Sequence, residues 1–155
     1  AFFAKLKELY NTPLEGKDKR PDIVFHLPTQ NKAIEILGNE TRLMQVFDNL
    51  ITNALTFSPP DGKIELSLEC DKKKAMITII DEGPGIPENK LETIFDRFYT
   101  ERPKQEDYGQ HSGLGLSIAK QIIDAHSGEI YACNQKDGQN VKGACFVIEL
   151  PLIKA

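Results

Sequence analysis

The chain has 155 residues, 40% of them apolar and 27% charged, with a formal net charge of −4. That length corresponds to one ordinary domain, able to bury about 70% of its unfolded surface around a single core without help from a metal or a disulfide. The acidic balance leaves no footprint for nucleic-acid binding, and no run of about 18 apolar residues spans a bilayer.

Cys70, Cys133 and Cys145 are an odd number without close spacing, which argues against a zinc cluster and a disulfide framework and fits a reducing cytoplasm. There is no signal-peptide pattern. A chain opening on AFFAKLKELY reads as part of something larger, so upstream domains stay open.

Phe2, Phe3, Leu6, Leu9 and Tyr10 form a short helical stripe stopped by Asn11 and Pro13, and residues 1–12 read as the tail of a longer helix. The domain proper is expected over 20–155. Ile23 to Leu27 and Ala33 to Leu37 are two short β-prone runs, and Gly38-Asn39 stops the second.

Arg42 to Ser58 reads as one helix with two faces. Leu43, Val46, Phe47, Leu50, Ile51, Ala54 and Leu55 make an apolar stripe, and Asn49, Asn53 and Thr56 run beside it at i, i+4 and i+7. Asparagine is a mediocre helix former, and two of them cost about 1 kcal/mol relative to Ala. Their amide oxygens are fair ligands for a hard cation such as Mg²⁺ that also binds substrate phosphates; the alternative is a solvated face.

Ser58-Pro59-Pro60-Asp61-Gly62 closes that helix. Ile64 to Cys70 and Ala75 to Ile80 then form an antiparallel hairpin around Asp71-Lys72-Lys73-Lys74. Its second strand runs into Asp81-Glu82-Gly83-Pro84-Gly85-Ile86-Pro87, either a tight turn or a wall where glycines let backbone approach a flat ligand. There a strand-end carboxylate can accept a hydrogen bond from an exocyclic amino group, as adenine offers.

Lys90 to Tyr99 reads as a short helix ending in Phe95, Phe98 and Tyr99. Thr100 to Ser112 is polar apart from Tyr108, and a connection that long in a compact domain is a lid or disordered. His111 within it is either near a phosphate or solvent-facing. Ser112-Gly113-Leu114-Gly115-Leu116-Ser117 opens a helix from Leu114 to His126. Glycines in a first turn expose free N–H groups at the positive end of the dipole, an anion site without a basic side chain; alternatively they permit close helix packing. Ile130 to Asn134 and Ala144 to Leu150 finish as strands joined by the polar loop Gln135 to Gly143.

The stretches ending NALTFS, then DEGPGIP, IFDRFY, SGLGLSIAKQI and GACFVIELP, in this order over about residues 20 to 151, resemble the catalytic and ATP-binding domain of sensor histidine kinases. The resemblance implies an α/β (α+β) two-layer sandwich, with a mixed, mostly antiparallel sheet of about five strands on three helices and an ATP lid. The gyrase, Hsp90 and MutL ATPases share that fold, so fold alone does not decide the activity.

By that resemblance Asn53 is the Mg²⁺ ligand and Asn49 the second amide near metal and phosphates. Phe57 packs near the nucleoside, Asp81 recognises the adenine amino group, and Gly83, Gly85 and Ile86 shape that wall. His111, Ser112, Gly113, Leu114, Gly115 and Leu116 match the segment under the phosphates and lid. Thr56 stands where many relatives carry lysine, and Thr100 where some carry an arginine facing the γ-phosphate. Arg97 and Arg102 are the candidates to supply that charge, and His111-Ser112 replaces a commoner glycine and threonine.

In the related hydrolases a glutamate one turn before the metal-binding asparagine activates water. Asn49 occupies that place, and a neutral amide is no practical general base. Phosphoryl transfer asks mainly for positioning and charge neutralisation. The family's acceptor is a histidine on a separate helical dimerisation domain, and His26, His111 and His126 all lack its sequence context.

The resemblance therefore implies a cytoplasmic domain of a membrane sensor that binds ATP and Mg²⁺ and phosphorylates that histidine. A response regulator would act downstream, and this piece alone would be a monomer. The alternatives are a degenerate nucleotide-binding module, a gyrase-like ATPase, and a serine kinase of the anti-sigma type.

Overall fold

The computed structural model describes residues 22–26, 38–59, 61–96 and 115–152. The expected amino-terminal helix, the Ala33 to Leu37 strand and the lid lie outside them, as do Arg97, Arg102, His111, Ser112, Gly113 and Leu114.

Among the described residues the chain runs β1 (Asp22–His26), α1 (Glu40–Phe57), β2 (Lys63–Cys70), β3 (Lys74–Ile80), two single-turn 3₁₀ segments (Glu88–Lys90 and Thr93–Phe95), α2 (Gly115–Ala125), β4 (Glu129–Asp137) and β5 (Asn140–Pro151). The five strands form one sheet in the order β1-β2-β3-β5-β4, with β1 parallel to β2 and the other pairings antiparallel. This is the mixed, mostly antiparallel sheet that the resemblance implies, with helices packed on it.

The long helix buries its apolar stripe as expected. Leu43, Val46, Phe47, Leu50, Ile51 and Ala54 are buried and Leu55 is partly so, while Asn49 and Asn53 stay half-exposed beside them. Asn39 caps its start by accepting from the Arg42 N–H at 3.0 Å. The stripe meets Ile64 and Leu66 of β2, Ala75, Ile77 and Ile79 of β3, and Ile148 and Leu150 of β5 in one core. In β2 and β3 every second residue turns inward, as the period-2 pattern requires.

Two segments differ from expectation. The Lys90 to Tyr99 helix resolves, as far as it is described, into two 3₁₀ turns, with Ile94 and Phe95 buried. Over the nine described residues after Pro87 helix propensity alone is too weak to carry an α-helix, since an isolated helix shorter than about 12–15 residues is marginal. Phe95 is a core residue, edge-on to Phe146 with ring centroids 6.2 Å apart.

The closing hairpin is also longer than expected, because β4 and β5 run through the polar stretch to a turn at Gly138-Gln139. Lys136, Asp137, Asn140 and Lys142 are polar because they are exposed, not because the ladder has ended. A register shift between Gln135 and Lys136 bends this ladder where it passes the Asp81 turn.

At the end of α2, Ser127 takes the left-handed conformation (φ 60°), with the Gly128 N–H reaching Ile123 O at 3.0 Å and the Ser127 N–H reaching Asp124 O at 3.0 Å. Glycine is the usual occupant of that left-handed position. Here it sits one residue later, where a Cβ would lie 2.4 Å from the carbonyl oxygen of Glu149.

Candidate functional site

A cavity of about 520 Å³ opens between the carboxyl half of α1, the turn after β3, the start of α2 and the closing hairpin. Asn53 and Phe57 reach it from α1, Asp81 from the end of β3, Pro84 to Glu88 from the turn, and Leu116 from α2. Ile94, Asn134, Val141, Ala144 and Phe146 complete the lining.

Asp81 is 3% exposed. Its Oδ1 accepts from the Gly83 N–H at 2.9 Å and the Ala144 N–H at 3.0 Å. Burial pushes the carboxyl above its ordinary pKa, against the two amide donors that favour the ionised form. With Oδ1 held twice, Oδ2 is the oxygen left to a ligand. A carboxylate seated this way in an apolar cavity is an acceptor of fixed position.

The ends of α1 and β3 are joined, since the buried Ser58 Oγ accepts from the Glu82 N–H at 3.1 Å. Gly83 passes so close to α1 that a Cβ would lie 2.8 Å from the Phe57 carbonyl oxygen. Gly85 adopts φ +83°, and a Cβ there would meet Val141 at 2.4 Å and Asn134 Oδ1 at 2.9 Å. Both glycines are thus required, one for close approach and one also for its backbone angle.

On the polar side, Asn49 Nδ2 donates to the carbonyl of Gly115 at 3.1 Å, which joins α1 to the first turn of α2. The Asn49 amide oxygen then points its lone pairs elsewhere. The donor set fits a hard cation that shares its coordination with phosphate: neutral amide oxygens at Asn53 and Asn49, with no group of three or more His, Cys, Asp or Glu among the described residues. Thr56 is exposed, and its hydroxyl donates to Thr52 O at 2.9 Å.

Of the residues singled out from sequence, Asn53, Phe57, Asp81, Gly85, Ile86 and Leu116 line one cavity. Gly83 braces its wall, and Asn49 and Gly115 touch each other at its edge. Asn134, Val141 and Glu88 went unnoticed in the sequence. Their polar or isolated character reads as ordinary surface: Glu88 follows the turn itself, Asn134 lies in the expected strand, and only Val141 is brought to the turn by the hairpin's extension.

A cavity of about 520 Å³ between the two described helices and a mixed sheet, lined by a buried carboxylate from a strand end and by Leu116 from the first turn of α2, defines the class: an ATPase-type α/β sandwich. Residues 38–154 match the family described as histidine kinase-, DNA gyrase B-, and HSP90-like ATPase, and the chain belongs to it.

Within that family its similarity is to sensor kinases. It is 44% identical over 153 residues to the sensor protein ChvG of Agrobacterium fabrum, covering 94% of this chain and 26% of that protein. The catalytic domain of the histidine kinase ThkA is 30% identical with a TM-score of 0.70, covering 97% of this chain and 86% of that one. Full-length ShkA in complex with AMPPNP is 26% identical with a TM-score of 0.69, covering 86% of this chain and 26% of that one. The chain is therefore an ATP-binding catalytic domain of the sensor histidine kinase type. It spans about a quarter of the length of its ChvG relative.

Proposed function

We propose that this domain binds Mg-ATP in the cavity and donates the γ-phosphoryl group to a histidine on a separate helical dimerisation and phosphoacceptor domain of the same sensor. The observation that carries this reading is the convergence of Asp81, Asn53 and Leu116 on one cavity. The AMPPNP bound by ShkA gives the ligand class.

In this reading Asp81 Oδ2 accepts from the adenine amino group, a charge-assisted bond worth about 1.5–3 kcal/mol when buried. Phe57, Ile86 and Ile94 exclude water from the purine. Asn53 holds the cation and Asn49 stands next to it, while the amino terminus of α2, with Gly113, Leu114, Gly115 and Leu116, holds the phosphates. Arg97, Arg102, His111 and Ser112 are assigned to the lid side. When bound, Mg²⁺ neutralises charge on the transferred group.

Asn49 cannot take a proton from water, so hydrolysis is slow and transfer awaits the acceptor's imidazole. We assign the domain to the cytoplasmic side of a membrane sensor, monomeric by itself and upstream of a response regulator, with no nucleic-acid partner. No described helix is long and apolar enough to cross a membrane.

The test is to mix the domain with its own helical domain and γ-labelled ATP. Acid-labile label on the helical domain, lost with Asn53→Ala, is the expected result. Labelling unaffected by Asn53→Ala would remove the metal assignment. Nucleotide binding without transfer would leave a binding module, and steady turnover by the domain alone would favour an ATPase.

A further inference from the structure

The β4–β5 hairpin grips the glycine turn at successive points. Where β5 passes the end of β3, Gly143 lies against the Asp81 backbone so closely that a Cβ would be 1.8 Å from the carbonyl oxygen. On β4, the Asn134 amide holds both polar atoms of Ile86, accepting from its N–H at 2.7 Å and donating to its carbonyl at 2.7 Å. Beyond it, Lys136 Nζ pairs with Glu88 Oε1 at 2.5 Å.

The middle contact differs in kind from the outer two. Gly143 only makes room, and the Lys136 pair is exposed and weak in water. Asn134 is half-buried and does for the turn what a strand partner would: its side-chain amide pairs with one residue's N–H and C=O as a neighbouring backbone would. Gly85 immediately before Ile86 is held at φ +83° against the same amide oxygen, so the turn has little freedom while that pairing lasts.

We propose that Asn134 is a positioning residue for purine recognition. By pairing with Ile86 it fixes the wall that carries the Gly83 N–H to Asp81 Oδ1, and with it the direction in which Oδ2 faces the base. The assignment rests on the nucleotide reading above. Asn134 itself need not touch the ligand. A turn freed from it would still fold, but would present its carboxylate and glycine backbone in several arrangements, of which one accepts adenine.

The adenine amino group donates to a carboxylate, whereas guanine presents a carbonyl at the same edge, so a fixed wall discriminates and a loose one does not. Losing the pairing should weaken adenine-nucleotide binding roughly tenfold, the scale of one or two net hydrogen bonds, and leave guanine-nucleotide binding nearly unchanged.

The test is calorimetric titration of the 155-residue chain with Mg-ADP and with Mg-GDP, for wild type, Asn134→Ala and Asn134→Ser, alongside each variant's thermal midpoint. Asn134→Ser leaves one hydroxyl oxygen, which can accept or donate but cannot span both polar atoms of Ile86, and should fall between the other two. A role confined to stability would lower the thermal midpoint and the competent fraction, yet leave the ratio of ADP to GDP affinity in place.

A collapse of that ratio in Asn134→Ala, graded through Asn134→Ser, supports the assignment. Should Asn134→Ala fail to fold, Asn134→Ser alone decides by the same ratio. Wild-type binding with an unchanged ratio in the variants overturns the role of Asn134 and leaves the nucleotide reading standing. No binding of Mg-ADP by the wild type overturns both.

Discussion

Asn49 donates its side-chain amide to the carbonyl of Gly115 across 3.1 Å, so the helix proposed to hold the cation and the turn proposed to hold the phosphates share a hydrogen bond. A cation ligand on one element and an anion site on another must keep their spacing to bind a metal–phosphate pair. This bond sets that spacing without a charged side chain. Asn49→Asp removes the donor and turns a carboxylate oxygen towards the Gly115 carbonyl. It should cost about 1–3 kcal/mol of stability in urea unfolding, the scale of an unmade part-buried bond. Mg-ADP affinity should fall as well, because the added charge cannot restore the spacing.

Asp81 trades stability for recognition. Burial raises its folded pKa above the unfolded value, so the folded state releases this proton less readily than the unfolded chain. Its contribution to stability is therefore complete below the unfolded pKa and is lost as pH rises through the folded pKa. Asp81→Asn keeps an oxygen for the Gly83 and Ala144 amides and removes the ionisation. At pH 7 this variant should be as stable as wild type or more so, with a flatter dependence of unfolding free energy on pH above the unfolded carboxyl pKa. Its amide nitrogen would face the adenine donor, and calorimetry should detect Mg-ADP binding at least tenfold weaker, the effect of leaving two donors opposed.

The sequence makes the inward half of this fold plain and hides the crossings. Leu43 to Leu55 on α1 and the alternation in β2 and β3 report burial directly, because apolar side chains repeat at the period of the element that buries them. Asp81 and Gly85 are visible because a carboxylate and glycines at a strand end narrow the chemistry. Asn134 gives no such sign, since a lone asparagine in a polar stretch carries no period, and its partner Ile86 is 48 residues away. The polar run from Gln135 to Gly143 resembles a loop for the same reason, because an exposed two-residue turn and exposed strand ends have the composition of a loop.

Gly143 should tolerate no side chain. A Cβ there would sit 1.8 Å from the Asp81 carbonyl oxygen and 3.1 Å from the Glu82 Cα, both backbone atoms that cannot rotate away. The Asp81 N–H also donates to the neighbouring Ala144 carbonyl at 3.0 Å, so the strands cannot separate without losing that bond. Gly143→Ala should destabilise by about 3 kcal/mol or more, at or above the upper end for overpacking, because the clash is with main chain. Circular dichroism melting of the variant measures it. A loss below about 1 kcal/mol would mean that β5 can draw back from β3 at this point.

His126 is committed to structure. Its Nε2 accepts from the Asn39 N–H at 3.0 Å, and the proton this leaves on Nδ1 is donated to Ile122 O at 2.7 Å. The end of α2 therefore braces the start of α1, and a Cβ on Gly38 would strike the imidazole at 2.5 Å. With both ring nitrogens engaged, the half-buried side chain has no free lone pair to attack a phosphoryl group. His126→Ala should cost about 1–2 kcal/mol in urea unfolding, and Asn39→Ala, which loses the cap on Arg42, about 1 kcal/mol. Incubation with γ-labelled ATP should place no label on His126 in the folded chain. Label at that position would require the brace between α1 and α2 to open in the native state.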